Sequence, residues 1–180
     1  MKEKCALVAC IIYLSILSSG CSMVREGPGI NPKGEPPCVG ATFDLWRTRE
    51  VVGPAEPFDR EARRAALGAE PTTLDAIAAV AGWRGNWDRM IDVPENTTAE
   101  ELNSWAGTTA ICWEGFITRD IWADGTSEGV YLFMDGGIPV QVLWYTGPEK
   151  DFFITEENPV VHRHTVLIPE YNELTPVPTE

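Results

Sequence analysis

Histidine is scarce in this chain of 180 residues, with two in all, and basic side chains are few, 14 Lys and Arg against 27 Asp and Glu. The net charge is −13, and a surface that acidic repels a phosphate backbone, which excludes nucleic acid as a partner. No apolar run approaches 20 residues, so a multi-span membrane protein is excluded too. The sequence holds no G-x-x-x-x-G-K-[ST], G-x-G-x-x-G, H-E-x-x-H or C-x-x-C. The familiar routes to nucleotide handling, zinc hydrolysis and dithiol exchange are therefore missing, and no cofactor is expected. There is no internal repeat. What is present is a 44% hydrophobic share, enough for a core, in a length that suits one domain.

Residues 1–20 read as an address rather than as part of a fold. Lys2 and Lys4 precede an apolar stretch from Cys5 to Leu17, followed by Ser18-Ser19-Gly20-Cys21. As a helix that stretch would span about 20 Å, short of a ~30 Å hydrocarbon core, whereas a short apolar run ending in small residues is the pattern of a cleavable secretory signal. Ser19-Gly20-Cys21 after such a run resembles the lipobox of bacterial lipoproteins, with Ser18 and then Leu17 preceding it. The resemblance covers the first 21 residues. It implies cleavage before Cys21, diacylation of its thiol and acylation of the new amino group; two or three acyl chains meet the requirement for stable anchoring. An ordinary secretory signal cut near Gly20 and an uncleaved single anchor are the alternatives.

Cys5 and Cys10 leave with the signal and Cys21 takes the lipid, so Cys38 and Cys112 remain. Export to an oxidising compartment favours a disulfide between them, worth about 4 kcal/mol in the chain-entropy model. Two inert thiols, or Cys112 as a nucleophile beside a histidine, are the other readings.

Without residues 1–20 the charge becomes −14. Residues 21–40 read as a lipidated flexible tether: 22–40 hold four Gly and four Pro and average about 25 Å end to end. The globular domain is expected over 41–168, and 169–180, acidic and broken by three Pro, as a frayed tail. Three short helices follow from their punctuation: Asp59 capping 60–67 before Gly68, Thr72 or Thr73 opening a helix that Gly82 ends, and a Thr98-Ala-Glu-Glu101 capping box burying Leu102, Trp105 and Ala106 before Gly107. Ser127–Met134 and Ile138–Thr146 flank Asp135-Gly136-Gly137, a hairpin signal, and 160–168 alternates as one further strand. Weaker strands are expected at 41–46, 89–93 and 109–116. The class is α+β: a small antiparallel-rich sheet with about three short helices packed on one face.

Seven Trp remain in the mature chain, and Trp105 and Trp144 fall on expected buried faces. The Gly-broken segment 82–90 gathers Trp83, Arg84, Asn86, Trp87, Asp88 and Arg89, a composition found where proteins make contact. The same rings could stack on a sugar, with Asn86 and Asp88 serving its hydroxyls, or could simply pack. Gly125-Thr-Ser-Glu-Gly129 matches G-x-S-x-G, and Ser127, Asp151 and His162 follow the hydrolase order. A strand follows the serine, however, where the mechanism needs a helix, so the segment reads as a turn and no catalytic residue is assigned. His162 and His164 would share a strand face, with Asp151, Glu156 or Glu157 as a third ligand if the chain folded back; two histidines alone assign no metal. Glu114 with Asp120 or Asp124 is a carboxylate pair that chance alone produces in so acidic a chain.

The expectation is a membrane-anchored extracytoplasmic lipoprotein, on the cell membrane or outer membrane of a bacterium. It would be a non-enzymatic binding module whose charge steers a basic envelope or extracellular protein that it blocks or neutralises. A glycan-, small-ligand- or metal-binding lipoprotein is the alternative, and an envelope hydrolase stands third.

Overall fold

The computed structural model describes residues 38–47, 49–109, 111–118 and 128–178. The segment 1–37, with Cys21 and the lipobox-like residues, and 119–127, with Ser127, Asp120, Asp124 and Trp122, lie outside the described residues. The protein is α+β, with nine strands and three helices among the described residues. The elements run β1 (Ala41–Asp44), α1 (Ala55–Ala66), β2 (Thr72–Thr73), α2 (Leu74–Val80), β3 (Arg89–Pro94) and α3 (Ala99–Ala106). There follow β4 (Ile111–Glu114), β5 (Glu128–Asp135), β6 (Ile138–Thr146), β7 (Val160–His162), β8 (Val166–Glu170) and β9 (Glu173–Pro176).

A central antiparallel sheet has the order β6-β5-β3-β7, beside a parallel β1-β4 pair and an antiparallel β2-β8-β9 sheet. β5 and β6 are joined through Gly136, whose φ of +57° glycine adopts without a Cβ clash. Alternation along the central strands sends side chains to two different cores. Met90, Tyr131, Phe133, Leu143 and Tyr145 pack with Phe58, Ala62 and Ala66 of α1 and with Leu74, Ile77 and Ala78 of α2. Ile91, Val93, Val130, Leu132, Met134 and Val142 pack with Leu102 and Ala106 of α3 and with Phe43 and Trp113 of β1 and β4. The helices thus cover both faces of the sheet: α1 and α2 lie on one and α3 on the other. The expectation of one helical face is corrected because β3 and β5 are apolar on both sides, and each apolar face must be covered.

The caps of α2 and α3 lie where their residue types put them. Thr73 Oγ1 accepts from the Ala76 amide at 3.1 Å, and Thr98 with Glu101 forms the full capping box, closed by Gly107 at φ +64°. α1 differs. It begins at Ala55 after Pro54, so Asp59 is inside the helix and not its cap. Pro57 in the first turn loses no hydrogen bond, because the first helical amides have no partner within the helix.

Two further expectations change. The run 160–168 is two strands, since Arg163 and His164 turn between β7 and β8. Of the segment 169–180, the described residues 169–178 are not a frayed tail: β9 pairs with β8, and Leu174 is fully buried beside Phe152. A single apolar side chain with a hydrogen-bonded neighbour outweighs the acidic, Pro-rich composition around it. Cys38 and Cys112 form the disulfide, with Cα atoms 5.7 Å apart, and join the start of the domain to β4.

Candidate functional site

The 82–90 segment is a structural joint. Trp83 and Trp87 are both buried: Trp83 stacks on Phe58 with ring centroids 4.4 Å apart and meets Phe133 edge-on, and its Nε1 donates to the Pro54 carbonyl at 2.8 Å. Trp87 lies edge-on to Phe133 and Trp83, under the Arg163 guanidinium at 5.0 Å. Asp88 accepts from the Gly136 amide at 2.8 Å, tying the joint to the hairpin turn, and pairs with Arg89 at 2.7 Å. Arg89 also donates to the Ala106 carbonyl at the end of α3, 2.6 Å away. The reading of Trp83 and Trp87 as contact rings is corrected, because both are buried in the core, while Asp88 and Arg89 are half-buried with partners inside the domain. Arg84 and Asn86 alone of the six are exposed.

The histidines do not form a shared face, since His162 ends β7 and His164 sits in the following turn, 4.0 Å from Asp75. Among the described residues no three His, Cys, Asp or Glu side chains gather as metal ligands.

A cleft of about 360 Å³ opens between α1, the β5-β6 hairpin and the chain that follows β6. Its floor is aromatic and buried: Tyr131, Tyr145 and Phe152 are 3%, 6% and 1% exposed, with Tyr131 and Tyr145 centroids 4.5 Å apart. Trp144 also borders the cleft, but its half-buried ring packs with the core on the opposite face of the sheet and lies tilted by 33° against Trp46, centroids 4.1 Å apart; Trp46 is 57% exposed. Helical spacing places Asp59 and Arg63 one turn apart on the same flank of α1, beside the buried Phe58 and Ala62. Asp151 closes the other wall, buried, with its Oδ1 accepting from Arg63 at 3.0 Å.

The charges of this cleft do not cancel. Arg63 is held by Asp151, and Arg60 pairs with Glu56. Beneath the floor, Asp92 accepts from the Tyr145 hydroxyl at 2.6 Å and from Lys150 at 2.8 Å. No ion pair reaches Asp59 among the described residues, and Glu149 accepts from Thr146 at 3.1 Å. Burial, then the neighbouring charges of Asp151, Glu149 and Glu56, push the Asp59 carboxyl up to about 7. Asp59 keeps part of its surface in solvent, which weakens this repulsion without reversing it. Burial also raises Asp151, against the opposing hydrogen bond and charge of Arg63.

Among the described residues the Tyr131 hydroxyl is buried without a hydrogen-bond partner. The Phe152 amide favours its ionised form but falls outside hydrogen-bond geometry, while burial and then Asp92 hold the phenol well above its ordinary range. A carboxyl that its surroundings drive toward the neutral form and an unsatisfied buried phenol, together in one cleft, make this the candidate site.

Sequence reading assigned Asp59 to a cap and gave Asp151 only a conditional role, so the cleft went unseen. Two signals pointed to it: the spacing of Asp59 and Arg63 around a helix, and Tyr131 and Tyr145 on one face of the hairpin. No family model, curated protein or solved structure matches this chain.

Proposed function

We propose that this protein is a lipid-anchored, extracytoplasmic binding module of the bacterial envelope, non-enzymatic, which captures a basic protein partner through the acidic cleft beside α1. The Cys38–Cys112 disulfide carries the compartment in this reading, since such bonds persist where thiols are oxidised. Ser19-Gly20-Cys21 supports a lipid anchor, and the net charge of −13 supports attraction of a basic partner over distance. The cleft supports contact: it combines carboxylates that outnumber their paired cations with an aromatic floor, the chemistry that holds cationic side chains.

Labelling cells with a palmitate analogue tests the anchor: wild type takes up label and Cys21→Ala does not, and an unlabelled wild type removes the anchor. Cross-linking in intact membranes tests the partner, with capture lost on Asp59→Asn. Recovery of no cross-linked basic protein refutes that role. A glycan-binding reading draws on one observation outside the cleft, the exposed Trp46 tilted against Trp144 on the other face of the sheet. Salt separates the two, because steered association with a basic protein slows sharply as ionic strength rises and stacking on a sugar does not.

A further inference from the structure

We infer that the cleft beside α1 is a binding site for a primary ammonium group, of the kind carried by a lysine side chain, received by Asp59, Asp151 and the Tyr131 hydroxyl. This rests on the proposed role of the cleft as the contact surface, and it is independent of the lipid anchor. The argument begins with what each group lacks. Asp59 has no ion pair among the described residues, Arg63 engages only Oδ1 of Asp151, and the Tyr131 hydroxyl is buried with neither donor nor acceptor. An ammonium carries three donors and one positive charge, which matches two carboxylates and a phenol oxygen.

The remaining charges leave that deficit in place. On α1, Arg60 is taken by Glu56; after β6, Glu149 adds negative charge; below the floor, Lys150 is taken by Asp92. Both arginines of the cleft are already bound to carboxylates, so an anion finds no free cation there. The aromatic floor suits the alkyl stem of a lysine, while its head reaches the carboxylates. Glu173 faces Asp151 from β9 and reinforces the negative field. A bound ammonium favours the ionised form of Asp59, whose raised carboxyl is partly protonated near neutrality, so binding releases a proton and weakens as pH falls below 7.

The test uses the full-length chain in detergent micelles and three first probes, Nα-acetyl-lysine methylamide, its Nε-acetylated form and a methyl glucoside, followed by a lysine-containing tripeptide and propylamine. Calorimetry at pH 8 shows saturable binding of the ammonium probe alone, at least about tenfold weaker at pH 5.5, where Asp59 is protonated. Asp59→Asn lowers affinity at least about tenfold and flattens the pH profile. Tyr131→Phe keeps the fold and weakens binding severalfold, which a packing role for the ring alone does not produce. A carbon-detected NMR titration shows the Asp59 carboxyl moving to lower pKa when the probe is bound.

Equal binding of the acetylated probe, no saturable binding by folded wild type, or unchanged affinity in Asp59→Asn each overturns the inference. Glucoside binding in place of ammonium binding overturns it in favour of the sugar. A lysine probe that binds while Cys21 takes no label leaves this site standing and removes the anchor; a labelled chain that ignores the probe does the reverse. A lysine-containing tripeptide that binds more tightly than propylamine assigns the group to a protein partner, and equal affinities assign it to a free amine.

Discussion

Replacing Trp83 by alanine separates a packing role from a contact role. The ring is 7% exposed, stacks on Phe58 at 4.4 Å and meets Phe133 at 4.8 Å, and its Nε1 holds the Pro54 carbonyl at 2.8 Å. Trp→Ala in a core costs about 3–5 kcal/mol through lost transfer energy and the cavity left behind. The abandoned Pro54 carbonyl adds to that cost where water cannot reach it. An unfolding entropy of about 2.1 cal/mol/K per residue, over the 130 described residues, converts a loss of about 4 kcal/mol into a fall in Tm of about 15 °C. Differential scanning calorimetry of Trp83→Ala beside Trp46→Ala makes the contrast. Trp46 is 57% exposed and gives up little beyond its stacking on Trp144, so that variant melts within about 4 °C of wild type. A Trp83→Ala protein melting within about 3 °C of wild type would falsify the burial argument and return the ring to the surface.

Asp59→Asn removes a carboxyl whose native pKa, raised from 3.8 to about 7, makes the folded state bind more protons than the unfolded chain between those values. The contribution of Asp59 to stability therefore falls as pH rises from 4 to 7. The variant is more stable than wild type at pH 8, by about 1 kcal/mol once solvent screening of this exposed residue is allowed for, and matches it at pH 4. Urea melts at the two pH values check this, and equal midpoints at pH 8 contradict it. Reducing Cys38–Cys112, which closes a loop of 74 residues, lowers stability by up to about 4 kcal/mol; melts with and without reductant measure it, and thiol titration gains two groups on reduction. Gly129→Ala places a Cβ against the Tyr145 hydroxyl, breaking its bond to Asp92. The tyrosine near-ultraviolet signal changes and Tm falls, whereas an unchanged spectrum shows that the ring does not sit there.

Local chemistry made much of this fold legible. Thr73, Thr98 with Glu101, and Gly107 set helix ends by bonds within a few residues, and Gly136 sets the hairpin by its own φ, so these elements follow from the chain as written. The disulfide followed from elimination among five cysteines. Placement across the sheet was another matter. Composition gave Trp83 and Trp87 the look of a contact loop, yet Phe58 from α1 and Phe133 from β5 enclose them, and neither neighbour is near in sequence. Leu174 drew a segment read as frayed into β9 because Phe152 and β8 were waiting to pack with it.

The sequence by itself determined the caps, the hairpin turn, the cysteine pair and the acidic character, since each depends on short-range bonds or on composition. Only the tertiary structure decided that the helices cover both faces of the sheet, that two tryptophans are core, and that Asp59, Tyr131 and Asp151 share one cleft. Burial and charge repulsion are sums over neighbours brought together from 92 positions of chain, from Asp59 to Asp151, and no local pattern carries such sums.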